Sequence, residues 1–441
     1  MRQLLRGTVF FLTAIAWPVQ ARDNLPYTTY TNFDALLKGR DARYAAVARV
    51  SDPGTSARRA YTGFFFYQVL QFDATGRYLL GLKVYCQTRD VRPDDLGDIG
   101  YIDLKDGYKW TKFGTTTAWN WQQGARLQWR PQSDEIVWND RADDGKRFVC
   151  RAYDFRTGAR RTLPRPIYDI SPDGTTALTH DFERMRLFKG TEYVGIEDKH
   201  EHEFAPGTTG VWKMSMETGK AEMVMSLAKM AKIAYPKGLP ASGHLYFFRE
   251  GWNPSGTRFV AFIKDPANHL FEAYSMAPDG SDVRYLYYNP SHHSWRDDDY
   301  ILDFGRHAPP GGGRPHGGYF LFKDDGTGKA KELLWASEHD GHDSYVPGTG
   351  NDWILSDTYV IAGYQYLFLY HRPTRLFVPL ARLKSTAEDA AGFTDEYRGD
   401  LHPRCSRNGR IVSIDATHEG MGRQMYVIDI GYILDRPPTR R

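Results

Sequence analysis

Cysteine and net charge are scarce in this chain, any histidine in the first 179 residues is lacking, and each lack removes a class of function. Only Cys86, Cys150 and Cys405 occur among the 441 residues. Their spacing fits no zinc pattern, and an odd number excludes a complete disulfide framework, so at most one bridge forms and buried thiols are the simpler reading. The formal net charge is only +3, from 57 basic and 54 acidic residues. That leaves no global field for nucleic acid, and any polyanion must be held by a local cluster. No histidine precedes His180, so imidazole chemistry is confined to the later part of the chain. Past the N-terminus, no apolar run is long enough to cross about 30 Å of hydrocarbon as a helix.

The N-terminus itself, MRQLLRGTVFFLTAIAWPVQA, has a basic start (Arg2, Arg6), a short apolar core (Val9 to Trp17) and a small-residue site ending at Ala21. Residues 1–21 therefore read as a secretory signal, and the expected location is secreted or periplasmic. Removing them takes away two arginines and no acid, which lowers the net charge from +3 to +1. Residues 22–64 are read as a segment leading into the fold, 65–433 as its body and 434–441 as a basic tail. Aromatic residues make up 14% of the chain, with 28 tyrosines, a composition that suits sheet and surfaces that stack on sugar rings.

What is abundant is a repeat. Near the C-terminus, Gly399 to Ile430 reads as a short strand ending at Cys405, the turn Ser406-Arg407-Asn408-Gly409, a strand Arg410 to Asp415, a polar loop and a strand Gln424 to Ile430. Asn-Gly signals a tight hairpin, in the favoured type with positive φ at both central residues. The third-strand unit recurs at 100–107, 150–158, 211–219, 272–280, 319–328, 367–375 and 425–431. A residue at the end of the first strand recurs in step, at Phe72, Trp129, Ile170, Trp252, Trp295, Tyr345 and Cys405. The two series interleave seven times. Such units cannot bury both faces alone, so they stack radially, and the fold expected is all-β, a seven-bladed β-propeller. Met223 to Ala234 breaks the pattern with apolar residues at helical spacing and is read as one inserted helix.

In a propeller, the residues just before each inner strand ring the mouth of the central channel. Three positions before each marker stand Val69, Arg126, Ile167, Arg249, His292, His342 and His402. The loops between second and third strands bring Asn139, Arg141, His180, Lys264, His307, Tyr359 and His418 to the same face. Histidines at one register of consecutive blades converge on one axis. His292, His342, His402 and His418 are therefore candidate ligands for a divalent metal such as Zn, Mn or Ca, with Asp400 and Glu419 orienting the imidazoles. The alternative is a hydrogen-bonded histidine cluster without an ion. Arg126 and Arg249 offer forked donors for a carboxylate or sulfate.

Several stretches resemble a known family. SHHSWRDDD (291–299), GHDSY (341–345), WILSDTY (353–359), DLHPRCSRNG (400–409), and DATHEG with RQMYVID resemble the bacterial propeller polysaccharide lyases, the oligogalacturonate lyases and the propeller-type ulvan lyases. NWQQGARLQW (120–129) and FFREGWNPSG (247–256) are similar to the ulvan-lyase side. The resemblance spans roughly residues 65–431. It implies β-elimination at a uronic acid of an anionic polysaccharide, ulvan-like most of all, by a monomer. A cation or arginine would neutralise the carboxylate, and histidine or tyrosine would take and give the protons. By motif position Arg249 resembles the carboxylate-facing arginine and Tyr235 the tyrosine upstream of it. His180 is the candidate base on geometry alone, with Arg126, Asn139, Arg141, Lys264, His307 and Tyr359 as substrate contacts. Unlike the ulvan lyases, this chain has no histidine in its early blades, and Trp121 stands where relatives often carry one. Two other function classes fit the same sequence: a glycan- or protein-binding propeller without catalysis, and a metal-dependent hydrolase.

Overall fold

Alternating apolar residues and closely spaced turns fold each repeat into a four-stranded antiparallel meander, and the computed structural model arranges seven of these as blades around a channel. It describes residues 28–29, 44–87, 89–188, 191–385 and 398–438. The expected signal sequence at 1–21 lies outside the described residues. The innermost strands are Tyr61–Gly63, Gln128–Trp129, Asp169–Ile170, Tyr246–Trp252, Ser294–Trp295, Ser344–Tyr345 and Arg404–Cys405. Apolar side chains of adjacent blades interleave into the core, as with Leu367, Val378, Val412 and Ile428 between blades six and seven. The three cysteines are free.

The ring closes by exchange between the chain's two ends. Blade seven takes three strands from the C-terminal repeat, and its outermost strand is Ala48–Arg49, paired antiparallel with Val427 and Tyr426. The propeller therefore starts at Ala48 and not at 65, because the segment placed ahead of the ring supplies both this strand and the inner strand of blade one. A further strand, Thr28–Thr29, extends blade six along Leu376 and Phe377. The seam is held by polar groups. The Asp415 carboxylate accepts the Phe65 N–H at 2.8 Å and the Phe64 N–H at 3.0 Å. It also pairs with the Arg404 guanidinium at 2.8 Å, both side chains being buried.

Breaking a buried ion pair by removing one partner leaves an uncompensated charge and costs about 3–5 kcal/mol. Asp415→Ala, which also strips two blade-one N–H groups of their acceptor, should lose at least that much stability in denaturant titrations. A midpoint unchanged from wild type would show that the seam does not hold the ring.

Four local expectations are corrected. The helix spans Leu227–Ala234 only, because Ala221–Ser226 continues as the outer strand of blade three and the Ser226 hydroxyl accepts the Lys229 N–H at 3.1 Å, capping the helix. A second short helix, Gly431–Leu434, follows the last strand, and Asp435 beyond it pairs with Arg410. In the Asn408-Gly409 turn, only Gly409 has positive φ (72°), so this is not the double-positive hairpin. In blade one, Phe72 makes a single bridge to Leu79. The residues between Gly63 and Phe72, FFFYQVLQ, leave the blade and enter the channel, so Val69 does not sit at the mouth as its counterparts do.

Candidate functional site

The inserted segment forms a plug, and the histidines stand on it. The Tyr67 ring lies 5.7 Å from His292, 5.3 Å from His342 and 6.4 Å from His402 between centroids. Its hydroxyl donates to the His293 carbonyl at 3.2 Å, pinning the plug to blade five. The three imidazoles come from consecutive blades and touch in sequence, His292 to His342 at 4.3 Å and His342 to His402 at 4.2 Å. All three are buried. The register read from the repeat therefore does bring them together.

Each imidazole is held differently. His342 Nδ1 faces the Asp357 carboxylate at 3.0 and 3.1 Å, an arrangement that fixes the ring and leaves Nε2 as the available donor. His292 Nδ1 lies 3.2 Å from Asp340, and its Nε2 is 3.4 Å from the Tyr359 hydroxyl. His402 Nδ1 is buried without a partner, as is Oδ2 of Asp400, whose other oxygen accepts the Arg398 Nε–H at 2.8 Å. Donor atoms of His342, Asp400 and His402 all lie within 4.8 Å of one another.

Two imidazoles and a carboxylate suit a divalent transition metal such as manganese or zinc better than calcium, which takes oxygen donors. Burial, followed by Arg249 for His292 and by His342 for His402, holds both imidazoles well below the usual histidine range. They are therefore neutral, the form that binds metal. Asp400 is thus a donor in the cluster and not only an orienting acid. His418 is not part of it. Its ring lies tilted against Tyr426 at 4.5 Å toward the outside of blade seven, where Glu419 pairs with Arg49 from the closing strand.

Beside the histidines is a cationic wall. Arg249 and Lys264 stand over the same ring, Phe248, at 4.9 and 4.7 Å. One Arg249 amine donates to the Ser291 carbonyl while its Nε is buried with no partner. Lys264 has no carboxylate or carbonyl partner among the described residues. Burial first, then Arg249, lowers its amine to about 7, against the opposing pull of Asp303 and Asp340. Arg126, Arg249 and His402, at equivalent places in three blades, have φ of 51°, 55° and 43°. Left-handed backbone at non-glycine residues costs of order 1–3 kcal/mol each, and it persists where surrounding structure enforces it, commonly at functional sites.

The other expected residues divide. Tyr359 belongs to the cluster and carries the Arg398 guanidinium 4.4 Å above its ring. His180 is enclosed by Tyr168 and Phe182, with Nδ1 2.9 Å from Glu250 and Nε2 buried and unpaired. That enclosure makes it a poor proton acceptor for a large substrate. Tyr235 is not at the cluster: its hydroxyl donates to Asp265 at 2.8 Å and its ring meets Phe204. Asn139 uses its whole amide inside, bonding the Ile167 N–H and carbonyl at 2.7 Å each and the Tyr193 hydroxyl. Arg141 donates to the Pro93 carbonyl on the rim of blade two. His307 sits among Tyr288, Phe320 and Phe322, where burial lowers it to about 4. Arg126 faces the channel on the far side of the plug. Tyr67 and Arg398 also belong to the site, although neither stands at a repeat position that singles it out in sequence. Four aromatic or apolar residues in a row at 64–67, without strand alternation, are the signal that could have found the plug.

No protein-family model matches the sequence, and no curated protein matches it. Among solved structures, the fold is similar to an oligogalacturonate lyase in complex with manganese, at 12% identity and a TM-score of 0.61, covering 92% of this chain and 96% of that one. It is also similar to an oligogalacturonate lyase from Vibrio parahaemolyticus, at 11% identity and a TM-score of 0.57, covering 92% and 97%. A puromycin-hydrolysing peptidase of Mycobacterium tuberculosis has a TM-score of 0.50 at 11% identity, covering 88% of this chain and 55% of that one. At these identities the likeness is one of fold, and propeller folds host unrelated functions.

Proposed function

We propose that this protein is a secreted or periplasmic polysaccharide lyase that cleaves a uronate-bearing polysaccharide by β-elimination. The observation that carries the reading is the juxtaposition at one channel mouth of an imidazole–carboxylate donor cluster with the Arg249 guanidinium and the Lys264 amine, neither of which forms an ion pair with a carboxylate among the described residues. Such a mouth is built to receive a carboxylate. The similarity to oligogalacturonate lyases agrees with it, and the resemblance to ulvan lyases makes ulvan-like polymers the first substrates to try.

The residues divide the chemistry as follows. A divalent cation held by His342, Asp400 and His402, with His292 beside them, would supply positive charge to the uronate carboxylate. Arg249 donates to that carboxylate and stabilises the charge that grows on it as C5 loses its proton. The Lys264 amine takes that proton, because it stands beside Arg249 over Phe248 and is half neutral near pH 7, whereas His180 Nε2 is enclosed between Tyr168 and Phe182. The C5 electron pair becomes the C4–C5 double bond as the C4–oxygen bond breaks. Tyr359 protonates the departing oxygen, and solvent then takes the proton from Lys264 and returns one to Tyr359.

Metal content separates this cluster from a purely hydrogen-bonded one. The purified protein should carry close to one divalent ion per chain, and His402→Ala should lose it and melt at a lower temperature. Metal-free wild type that is unaffected by added divalent ions would contradict the donor assignment.

A further inference from the structure

On the far side of the plug the channel widens into a cavity of about 570 Å³, a size usual for small-molecule sites. Tyr67 and the residues after it line this cavity, while the three clustered imidazoles do not. The plug thus separates two sites back to back along one axis. From the groups that line the cavity, we propose that it binds a monosaccharide-sized sugar acid independently of the histidine cluster.

The anchor is Arg126. It is 2% exposed and held between the Tyr168 and Phe66 rings at 4.0 and 4.5 Å, with Nε donating to the Tyr168 carbonyl at 2.9 Å. One terminal amine, Nη1, is buried with no partner. An unpaired buried guanidinium N–H is costly unless a ligand accepts from it. Neither acid in the cavity wall does so. Glu250 is committed to His180, and Asp169 accepts the Trp252 N–H at 2.9 Å while burial pushes its carboxyl up to about 6. Arg407 adds a second cation, which donates to the Phe72 carbonyl at 3.3 Å and has Asp73 and Asp134 near enough to favour its charge. Arg126 Nη1 therefore has no acceptor in the cavity wall, and an anionic ligand would supply one.

The rest of the wall describes what carries that anion. Trp252, Trp295 and Tyr345 close the inner strands of three consecutive blades at one register and all line the cavity. Indole and phenol faces stack on the apolar face of a pyranose. The Trp252 Nε1–H and the Tyr345 hydroxyl are buried without partners, and Gln132 and Asn253 lie on the same wall. Ring hydroxyls would use these groups, whereas an aromatic acid would leave them unsatisfied. The ligand class is therefore a carboxylated sugar.

Calorimetric titration of the full-length protein with D-galacturonate and D-glucuronate tests this, with methyl galactoside and benzoate as controls. The uronates should bind and methyl galactoside should bind at least about tenfold more weakly, since a hydrogen bond to a charged group is lost. Arg126→Gln should weaken uronate binding by a similar factor. Because Arg126 is packed between rings, Arg407→Gln, with its more open side chain, is the second variant and should weaken binding several-fold with the fold intact. His402→Ala should leave uronate binding in place. Equal binding of methyl galactoside, preference for benzoate, unchanged affinity in both arginine variants, or loss of binding in His402→Ala would each overturn the proposal. The last result would put the ligand at the histidine cluster instead.

Discussion

Lys264→Met is expected to lower turnover on a uronate polymer by about 10²–10⁴-fold, the usual contribution of a positioned general base. Methionine keeps an apolar stem over Phe248 and Phe271, which the lysine amine faces at 4.7 and 5.5 Å, so the packing survives and only the amine goes. The pH profile is the sharper readout. The base works as the neutral amine, so activity should climb as pH rises through about 7 and then level off. The groups that set this value lie on three neighbouring elements. Arg249 on the inner strand of blade four lowers it, while Asp303 on blade five and Asp340 in the following loop raise it. Asp303 and Asp340 are themselves pushed up by burial, to about 7 and about 6, so the lower end of the limb includes their ionisation. Lys264→Arg keeps a cation but has no neutral form near pH 7, so it should be as inactive as the methionine variant. A Lys264→Met enzyme with wild-type turnover and the same rising limb would place the base elsewhere.

Arg249→Ala should cost on the order of 10²–10³ in kcat, the loss seen when one preorganised donor to developing charge is removed. Arg249→Lys should fail nearly as badly. The guanidinium is anchored by one amine on the Ser291 carbonyl and keeps its buried Nε unpaired, a two-point geometry that a lysine ammonium does not reproduce. The backbone at this residue is left-handed, with φ of 55°, where the strand's register shifts between Phe248 and Gly251. Because the interaction strengthens as charge grows, kcat should fall more than KM rises. A variant with unchanged kcat and a raised KM would make Arg249 a binding residue only.

Much of the fold was legible because a blade is a local object. Third strands and their turns, such as CRAYDFRTG and EAYSMAPDG, lie at the positions their pattern implies. Ring closure was not legible, since Ala48–Arg49 is a two-residue strand with no pattern of its own, selected only by the free edge of Gln424–Asp429. The plug was hidden for a related reason: Phe64 to Tyr67 reads as one more apolar strand until the channel receives it.

At the site, register brought His292, His342 and His402 together correctly, because rotation about the axis maps equal positions onto one another. Loop residues do not share that symmetry. His418 turned outward onto Tyr426, and Asp400 turned inward beside His402. Tyr235 followed motif position alone, and Asp265 holds its hydroxyl elsewhere. The chemistry assigned to Lys264 depends on desolvation against two aromatic rings and on Arg249, and no spacing rule reports that.

The most direct measurement is the product formed from a uronate polymer. Purified protein, loaded with a divalent ion, would be incubated with ulvan, polygalacturonate and glycosaminoglycans, and the new chain ends identified by ultraviolet absorbance and mass. β-Elimination predicts an unsaturated uronate at the new non-reducing end, with no water added across the broken bond. Saturated ends carrying one water per cleavage would identify a hydrolase. Binding of these polymers without any new ends would make the protein a glycan-binding propeller, and either result would contradict the lyase assignment.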